Sequence, residues 1–213
     1  MKSVTIIDYG IGNLLSVKRA LQKVGFTEVY LAQTPKEIQH ADRLVLPGVG
    51  AFANGMRGLT SRNLIDPITE HAAAKKPLLG ICLGMQLLGT ESYEFGKHAG
   101  LDLIPGSVKK IPNYNAQNIS HKVPYVGWAE LLSSHKNHLR KNILHNTPEG
   151  SALYFVHSYH FVAKNKTNVI AKYNYNGMSM TAAIQKDNVI GFQFHPEKSG
   201  DAGLKILKTF SNI

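Results

Sequence analysis

Pro77-Leu78-Leu79-Gly80-Ile81-Cys82-Leu83-Gly84-Met85-Gln86-Leu87-Leu88 is the stretch on which the fold turns. Pro77-Leu78-Leu79 is a short apolar run that reads as a buried strand, and Met85-Gln86-Leu87-Leu88 reads as the first turn of a helix. Between them a lone nucleophile is bracketed by Gly80 and Gly84, the layout of a nucleophile elbow with Cys in place of Ser. Such a turn is too tight to admit a Cβ on either side. It lifts the sulfur above the C-terminal edge of a sheet and points the Leu83 N–H and the helix N-terminus into the same space. That placement favours negative charge on the sulfur and supplies one half of an oxyanion hole. A core cysteine on an ordinary strand-to-helix turn would look the same over five residues, so the rest of the chain decides.

At 213 residues the chain suits one domain, 1–213, with a large core. Hydrophobic residues make up 43% and charged residues 18%, the proportions of a soluble globular protein. No apolar run reaches the length of a membrane span, and the start Met1-Lys2-Ser3-Val4-Thr5-Ile6-Ile7-Asp8 lacks a signal-peptide layout, so a cytoplasmic protein is expected. The single cysteine rules out an intramolecular disulfide and a zinc-finger site. The net charge of +10 comes from scattered Lys and Arg, with modest clusters at Lys109-Lys110 and over 136–141. A nucleic-acid surface would gather basic residues on one element with aromatics between them. A solvated basic surface, or a docking face for an acidic partner, is expected instead. His135, His138 and His145 share no ligand spacing, so no metal is expected.

Alternation of strand and helix gives the fold class. Val4–Ile7 reads as a first strand, followed by the glycine-rich turn Tyr9-Gly10-Ile11-Gly12-Asn13, with Asn13 the N-cap of a helix from Leu14 to about Val24. This turn is not a dinucleotide fingerprint. Leu15 stands where a third glycine belongs, and the second strand, Val29-Tyr30-Leu31, ends without an acidic residue, so no cofactor is expected. Thr34 caps a short helix that opens on Pro35. The third strand, Arg43–Leu46, runs into the loop Pro47-Gly48-Val49-Gly50-Ala51-Phe52, able to bring its backbone close to a ligand. An amphipathic helix from Leu64 to about Lys75, broken early by Pro67, leads to the cysteine elbow. This order predicts an α/β fold with a doubly wound, mostly parallel sheet, flavodoxin-like. Ligands of such sheets lie beyond the carboxyl ends of the strands, where Asp8, Gly10, Pro47–Gly50 and Cys82 would gather.

The second half changes to short strands: Val108–Ile111, Trp128–Leu131, Leu153–Val156, Val169–Tyr173, Met180–Gln185 and Val189–Phe194. Asn176-Gly177 and Asp187-Asn188 are hairpin signals. A largely antiparallel or mixed extension of the sheet is expected, closed by a helix from about Asp201 to Phe210. The strand at Val189–Phe194 ends in His195-Pro196-Glu197. Residues two apart on an extended segment point the same way, so His195 and Glu197 can face one neighbour together. A thiol needs a base at neutral pH, and that base needs a carboxylate to fix its tautomer. Cys82, His195 and Glu197 supply all three.

Gly80-Ile81-Cys82-Leu83-Gly84-Met85-Gln86, with Gln193-Phe194-His195-Pro196-Glu197-Lys198, resembles the class I, triad-type glutamine amidotransferases. Asp8–Leu14, Pro47–Phe52, Gly127-Trp128 and Tyr154-Phe155-Val156-His157-Ser158-Tyr159 narrow the likeness to the family of glutaminase subunits of imidazole glycerol phosphate synthase, in histidine biosynthesis. The resemblance runs from the first strand to the last helix. It implies hydrolysis of L-glutamine to glutamate and ammonia through a thioester on Cys82, with His195 as base and then acid, oriented by Glu197. It implies an oxyanion held by the Leu83 N–H and by a peptide within Gly48-Val49-Gly50 that rotates first. Glutamine would be gripped near Gly50, Gln86 and the Ser158-Tyr159 backbone. Ammonia would pass to a (β/α)8-barrel synthase subunit of the same heterodimer, which forms imidazole glycerol phosphate and an aminoimidazole carboxamide ribotide. Asn13, Trp128, Tyr154, His157 and Lys198 map to the side facing that partner.

One segment departs from the family. Pro124-Tyr125-Val126-Gly127-Trp128-Ala129 stands where Pro-His-Met-Gly-Trp-Asn is usual. The triad is untouched, but the partner is put in question. A paralogue feeding ammonia to another synthase, such as one that amidates surface-polysaccharide sugars, is the alternative. A stand-alone cysteine hydrolase is the alternative of another class.

Overall fold

The structure, a computed structural model, describes residues 2–115, 117–133 and 142–213. The histidines at 135 and 138 and the basic cluster at 136–141 lie outside the described residues. The first half alternates as expected: β1 (Ser3–Ile7), α1 (Leu14–Lys23), β2 (Glu28–Ala32), α2 (Pro35–Gln39), β3 (Leu44–Leu46), α3 (Phe52–Ser61), α4 (Ile65–Ala73), β4 (Leu78–Ile81) and α5 (Leu83–Leu87). The second half carries β5 (Glu91–Ser92), β6 (His98–Ala99), β7 (Gly106–Lys110), β8 (Tyr125–Glu130), β9 (Leu132–Ser133), β10 (Ala152–His157) and β11 (Tyr159–Ala163). It ends with β12 (Val169–Tyr175), β13 (Met178–Lys186), β14 (Val189–Phe192) and α6 (Gly200–Phe210). Among the described residues, no helix is long and apolar enough to cross a membrane.

The main sheet runs β2-β1-β3-β4-β14-β13-β12-β9, parallel from β2 to β14 and antiparallel beyond. Its central parallel strands β3, β4 and β14 are buried throughout and carry no polar side chain, because both faces are covered. On one face α1 and α6 bury Val17, Leu21, Ile206, Leu207 and Phe210. On the other, α2 to α5 bury Ile38, Phe52, Leu59, Ile68 and Leu87. Local chemistry sets the helix starts. Asn13 Oδ1 accepts from the Ser16 N–H at 3.3 Å, and Glu37 returns a carboxylate to the Thr34 N–H at 2.9 Å.

Three points of the sequence reading need correction. Helix α3 was not foreseen, since Gly55 and Gly58 weaken its signal; they are there for close packing, because a Cβ on Gly58 would lie 2.5 Å from the Tyr9 carbonyl oxygen. Pro67 does not break α4, because it sits in the first turn, where a missing N–H goes unneeded. The last strand stops at Phe192, and Pro196–Lys198 winds into a 3₁₀ turn. The antiparallel extension is present as β13, β12 and β9. Beside β13, β12 and β9, a four-stranded sheet (β11-β7-β5-β6) and a ribbon (β10-β8) stand apart. Phe161 of β11 packs against Gly89 and Gly106, which seats the small sheet at the end of α5.

Candidate active site

Strands β3, β4 and β14 end side by side, pairing Leu46 with Gly80 and Phe192 with Ile81. Cys82 follows at φ 54°, ψ −108°, a strained left-handed backbone for a residue with a Cβ. Its N–H donates to the Phe192 carbonyl at 2.7 Å, which ties the elbow to β14. Both flanking glycines are sterically required. A Cβ on Gly84 would lie 1.7 Å from the Leu46 carbonyl oxygen, and one on Gly80 would lie 2.7 Å from the Gly84 backbone.

His195 comes off β14 beside the elbow, its N–H donating to the Tyr154 carbonyl at 2.9 Å. Its Nδ1 lies 2.8 Å from Glu197 Oε1, and both side chains are at least 96% buried. The juxtaposition expected from an extended segment is thus reached through a 3₁₀ turn, with Ser199 Oγ donating to the His195 carbonyl at 2.6 Å to hold it closed. His195 Nε2 is buried with no hydrogen-bond partner among the described residues. Burial pulls the imidazole pKa down, but the Cys82 sulfur and the Glu197 carboxylate outweigh it and raise the pKa to about 10. Cys82 Sγ has only long contacts besides, at 3.8 Å to the Val156 carbonyl and to Gln193 Nε2.

The Gly48-Val49-Gly50 loop and Leu83 meet, but as donor and acceptor of one bond. The Leu83 N–H donates to the Gly48 carbonyl at 3.4 Å, so the loop covers the half of the oxyanion hole that the elbow provides. Tyr9 Oη donates to the preceding Pro47 carbonyl at 2.6 Å and anchors the loop from below. Burial, aided by the nearby Cys82 sulfur, raises the Tyr9 phenol pKa and keeps it a donor. Gly50 takes φ 92° with open space around it. Gly48 C=O and Val49 N–H belong to one peptide plane. Turning that plane over would release the Leu83 N–H and bring the Val49 N–H inward.

The walls come from the small sheets. Val49, Gly50, Cys82, Leu83, Gln86, Glu94, Pro124, Val156, His157, Ser158, Tyr159 and His195 enclose about 380 Å³. Gln86 donates through Nε2 to the Tyr159 carbonyl at 2.9 Å and to Gln193 Oε1 at 3.0 Å, leaving its Oε1 acceptor for a ligand. The Ser158 carbonyl accepts from the Ile111 N–H, and the Tyr159 carbonyl is filled by Gln86 and His157. Asp8 and Gly10 lie at the same sheet edge but outside the pocket. Sequence reasoning missed Glu94, a carboxylate just past β5 that is 9% exposed and accepts from the Phe52 N–H at 2.6 Å. It lies in an irregular stretch with no periodicity to reveal it.

The outer face of the β8–β10 ribbon is apolar. Trp128 is opposite Tyr154 and Val126 opposite Val156. Trp128 is 56% and Val126 54% exposed, the Trp128 and Tyr154 rings meet edge-on at 5.9 Å, and Lys198 Nζ stands 5.9 Å above Tyr154. Asn13 is exposed as well. His157 is placed otherwise than expected for a partner contact. It faces inward from the ribbon, where it accepts from Tyr173 Oη at 2.8 Å and donates to the Tyr159 carbonyl at 2.8 Å. Burial lowers its pKa to about 4, so it is neutral.

Fold and site define a thiol centre with an adjacent His–Glu pair on a doubly wound sheet. The sequence matches the family "Glutamine amidotransferase class-I" over residues 5–212. It is 50% identical to imidazole glycerol phosphate synthase subunit HisH 1 of Legionella pneumophila (strain Paris), across 100% of both chains. The subunit HisH of Aquifex aeolicus is 44% identical, across 96% of this chain and 94% of that one. The chain belongs to the class-I glutamine amidotransferases, in the HisH family of imidazole glycerol phosphate synthase subunits. Among solved structures, PurLQS from Thermotoga maritima superposes with a TM-score of 0.71 at 20% identity, across 100% of this chain and 99% of that one. That likeness concerns the fold.

Proposed function

We propose that Cys82, His195 and Glu197 carry the chemistry of this chain, the glutaminase subunit of an imidazole glycerol phosphate synthase, and that it works in the cytoplasm. The observation that carries the site assignment is the buried His195 Nδ1–Glu197 Oε1 contact of 2.8 Å beside the Cys82 elbow. Nδ1 is engaged by the carboxylate, so Nε2 is the ring nitrogen free to take the thiol proton. Cys82 Sγ attacks the carboxamide carbon of glutamine, and the C–N bond breaks as His195 returns the proton to leaving ammonia. A glutamyl thioester remains on Cys82. Water, deprotonated by His195, attacks it, releasing glutamate and restoring the thiol.

Leu83 N–H and Val49 N–H hold the oxyanion once the Gly48–Val49 peptide has turned. The bond between Leu83 and Gly48 supports a resting state in which this hole is shut. Glu94 and Gln86 Oε1 offer acceptors to the α-ammonium group of glutamine, and Ser158-Tyr159 offers donors to its α-carboxylate. Trp128, Tyr154 and Lys198, together with exposed Asn13, are assigned to the face for the (β/α)8-barrel synthase subunit, which receives the ammonia. The tyrosine and valine that mark the Tyr125–Ala129 departure divide between the two sides of the ribbon: Tyr125 stacks on buried Tyr173 at 5.6 Å, while Val126 joins the docking face. A glutamine-shaped diazoketone tests the site. Stoichiometric labelling of Cys82, competed by glutamine and reduced in His195→Ala, is expected; labelling elsewhere, or none, refutes the assignment.

A further inference from the structure

The triad leaves a second buried imidazole unused. We propose that Tyr173 is a positioning residue for the glutamine pocket, acting through His157 on the Tyr159 carbonyl and on Gln86. This rests on the glutaminase reading above. A carbonyl only accepts, so the 2.8 Å contact from His157 Nδ1 to the Tyr159 oxygen places the ring proton on Nδ1. Nε2 of the neutral ring is then an acceptor, and Tyr173 Oη, 2.8 Å away, donates to it. Tyr173 is fully buried and its phenol pKa is raised, chiefly by burial, so it keeps its proton. The Tyr159 carbonyl thus fixes the tautomer, and the tyrosine hydroxyl, donating to the lone pair left on Nε2, makes the choice of ring orientation.

That choice reaches the thiol through a continuous chain. The Tyr159 carbonyl that takes the His157 proton also takes Gln86 Nε2 at 2.9 Å. The second Gln86 hydrogen goes to Gln193 Oε1 at 3.0 Å, and Gln193 Nε2 stands 3.8 Å from Cys82 Sγ. Without the Tyr173 bond the ring can turn and draw its Nδ1–H away from the Tyr159 oxygen. The carbonyl would withdraw, and Gln86 would lose the anchor that sets its Oε1 towards the pocket. Packing does not need the hydroxyl. The Tyr173 ring lies 4.3 Å from Phe155 and 5.6 Å from Tyr125, contacts that phenylalanine would keep. The titratable groups around His157 are Tyr173, Tyr125, His160 and His195.

The test is steady-state glutamine kinetics in the complex with the barrel synthase, at several pH values, for wild type, Tyr173→Phe, His157→Asn and His157→Leu. Tyr173→Phe is expected to raise KM about fivefold with kcat within about twofold, the loss of one hydrogen bond. His157→Asn keeps a donor towards Tyr159 and should bind glutamine better than His157→Leu. A wild-type KM in Tyr173→Phe overturns the proposal. So does a parallel loss of kcat, KM and melting temperature, or a His157→Asn variant as impaired as His157→Leu. Failure of the glutaminase reading is seen separately, as a wild-type complex that releases no glutamate.

Discussion

Gly84→Ala is the sharpest steric test of the elbow. The added methyl would lie 1.7 Å from the Leu46 carbonyl oxygen, and real Cβ contacts essentially never fall below 3.0 Å. Strand β3 or the start of α5 must therefore move by at least 1.3 Å. Neither has room. Leu46 is fully buried and paired with Gly80, whose own missing Cβ lets α5 lie against the strand. Ordinary overpacking costs about 1–3 kcal/mol. A clash of backbone against backbone belongs to the severe tail, about 4 kcal/mol or more. Gly150→Ala is the control: φ is 81°, but nothing lies within 4 Å, so only left-handed strain of about 1 kcal/mol applies. Urea unfolding of both variants measures the difference. Comparable midpoints for the two would refute the claim that glycine at 84 is there for the close approach of β3 and α5.

Val49→Pro deletes one donor of the hole, and kcat for glutamate release should fall about 10²–10³-fold; an unchanged kcat would remove Val49 from the mechanism. Trp128→Ala should weaken the complex by more than about 1 kcal/mol while leaving the chain's own stability within about 0.5 kcal/mol, read by titration calorimetry and by melting. Stability should depend on His157. Its folded pKa of about 4 lies below the ordinary 6.5, so the stabilisation is complete above pH 6.5 and is lost as pH falls towards 4, about 3 kcal/mol in all. His157→Asn should flatten that part of the urea-midpoint profile, and an unchanged slope would contradict the buried neutral ring.

The elements around Cys82 were legible because physics repeats itself there. A buried parallel strand must be apolar on both faces, and a nucleophile in a tight turn must have glycine neighbours, so both appear as composition. Asn13, Thr34 and Pro35 announced their helices through the groups that helix ends require. Helix α3 was hidden because the packing of Gly58 against Tyr9 removes side chains that would have signalled it. His195 and Glu197 were paired correctly on the wrong backbone, since spacing two brings side chains together in a strand and a 3₁₀ turn at Pro196 does so by another path. Glu94 and the Leu83–Gly48 bond depend on where irregular segments of the small sheets and loops come to rest. No local pattern carries that.

Glutamate release from glutamine, by the purified chain alone and then with the barrel synthase and its ribonucleotide substrate, tests the central claim most directly. A hole closed by the Gly48 carbonyl predicts little release alone, strong stimulation in the loaded complex, and none in either state for Cys82→Ala. Equal release by the free chain and the complex would contradict it.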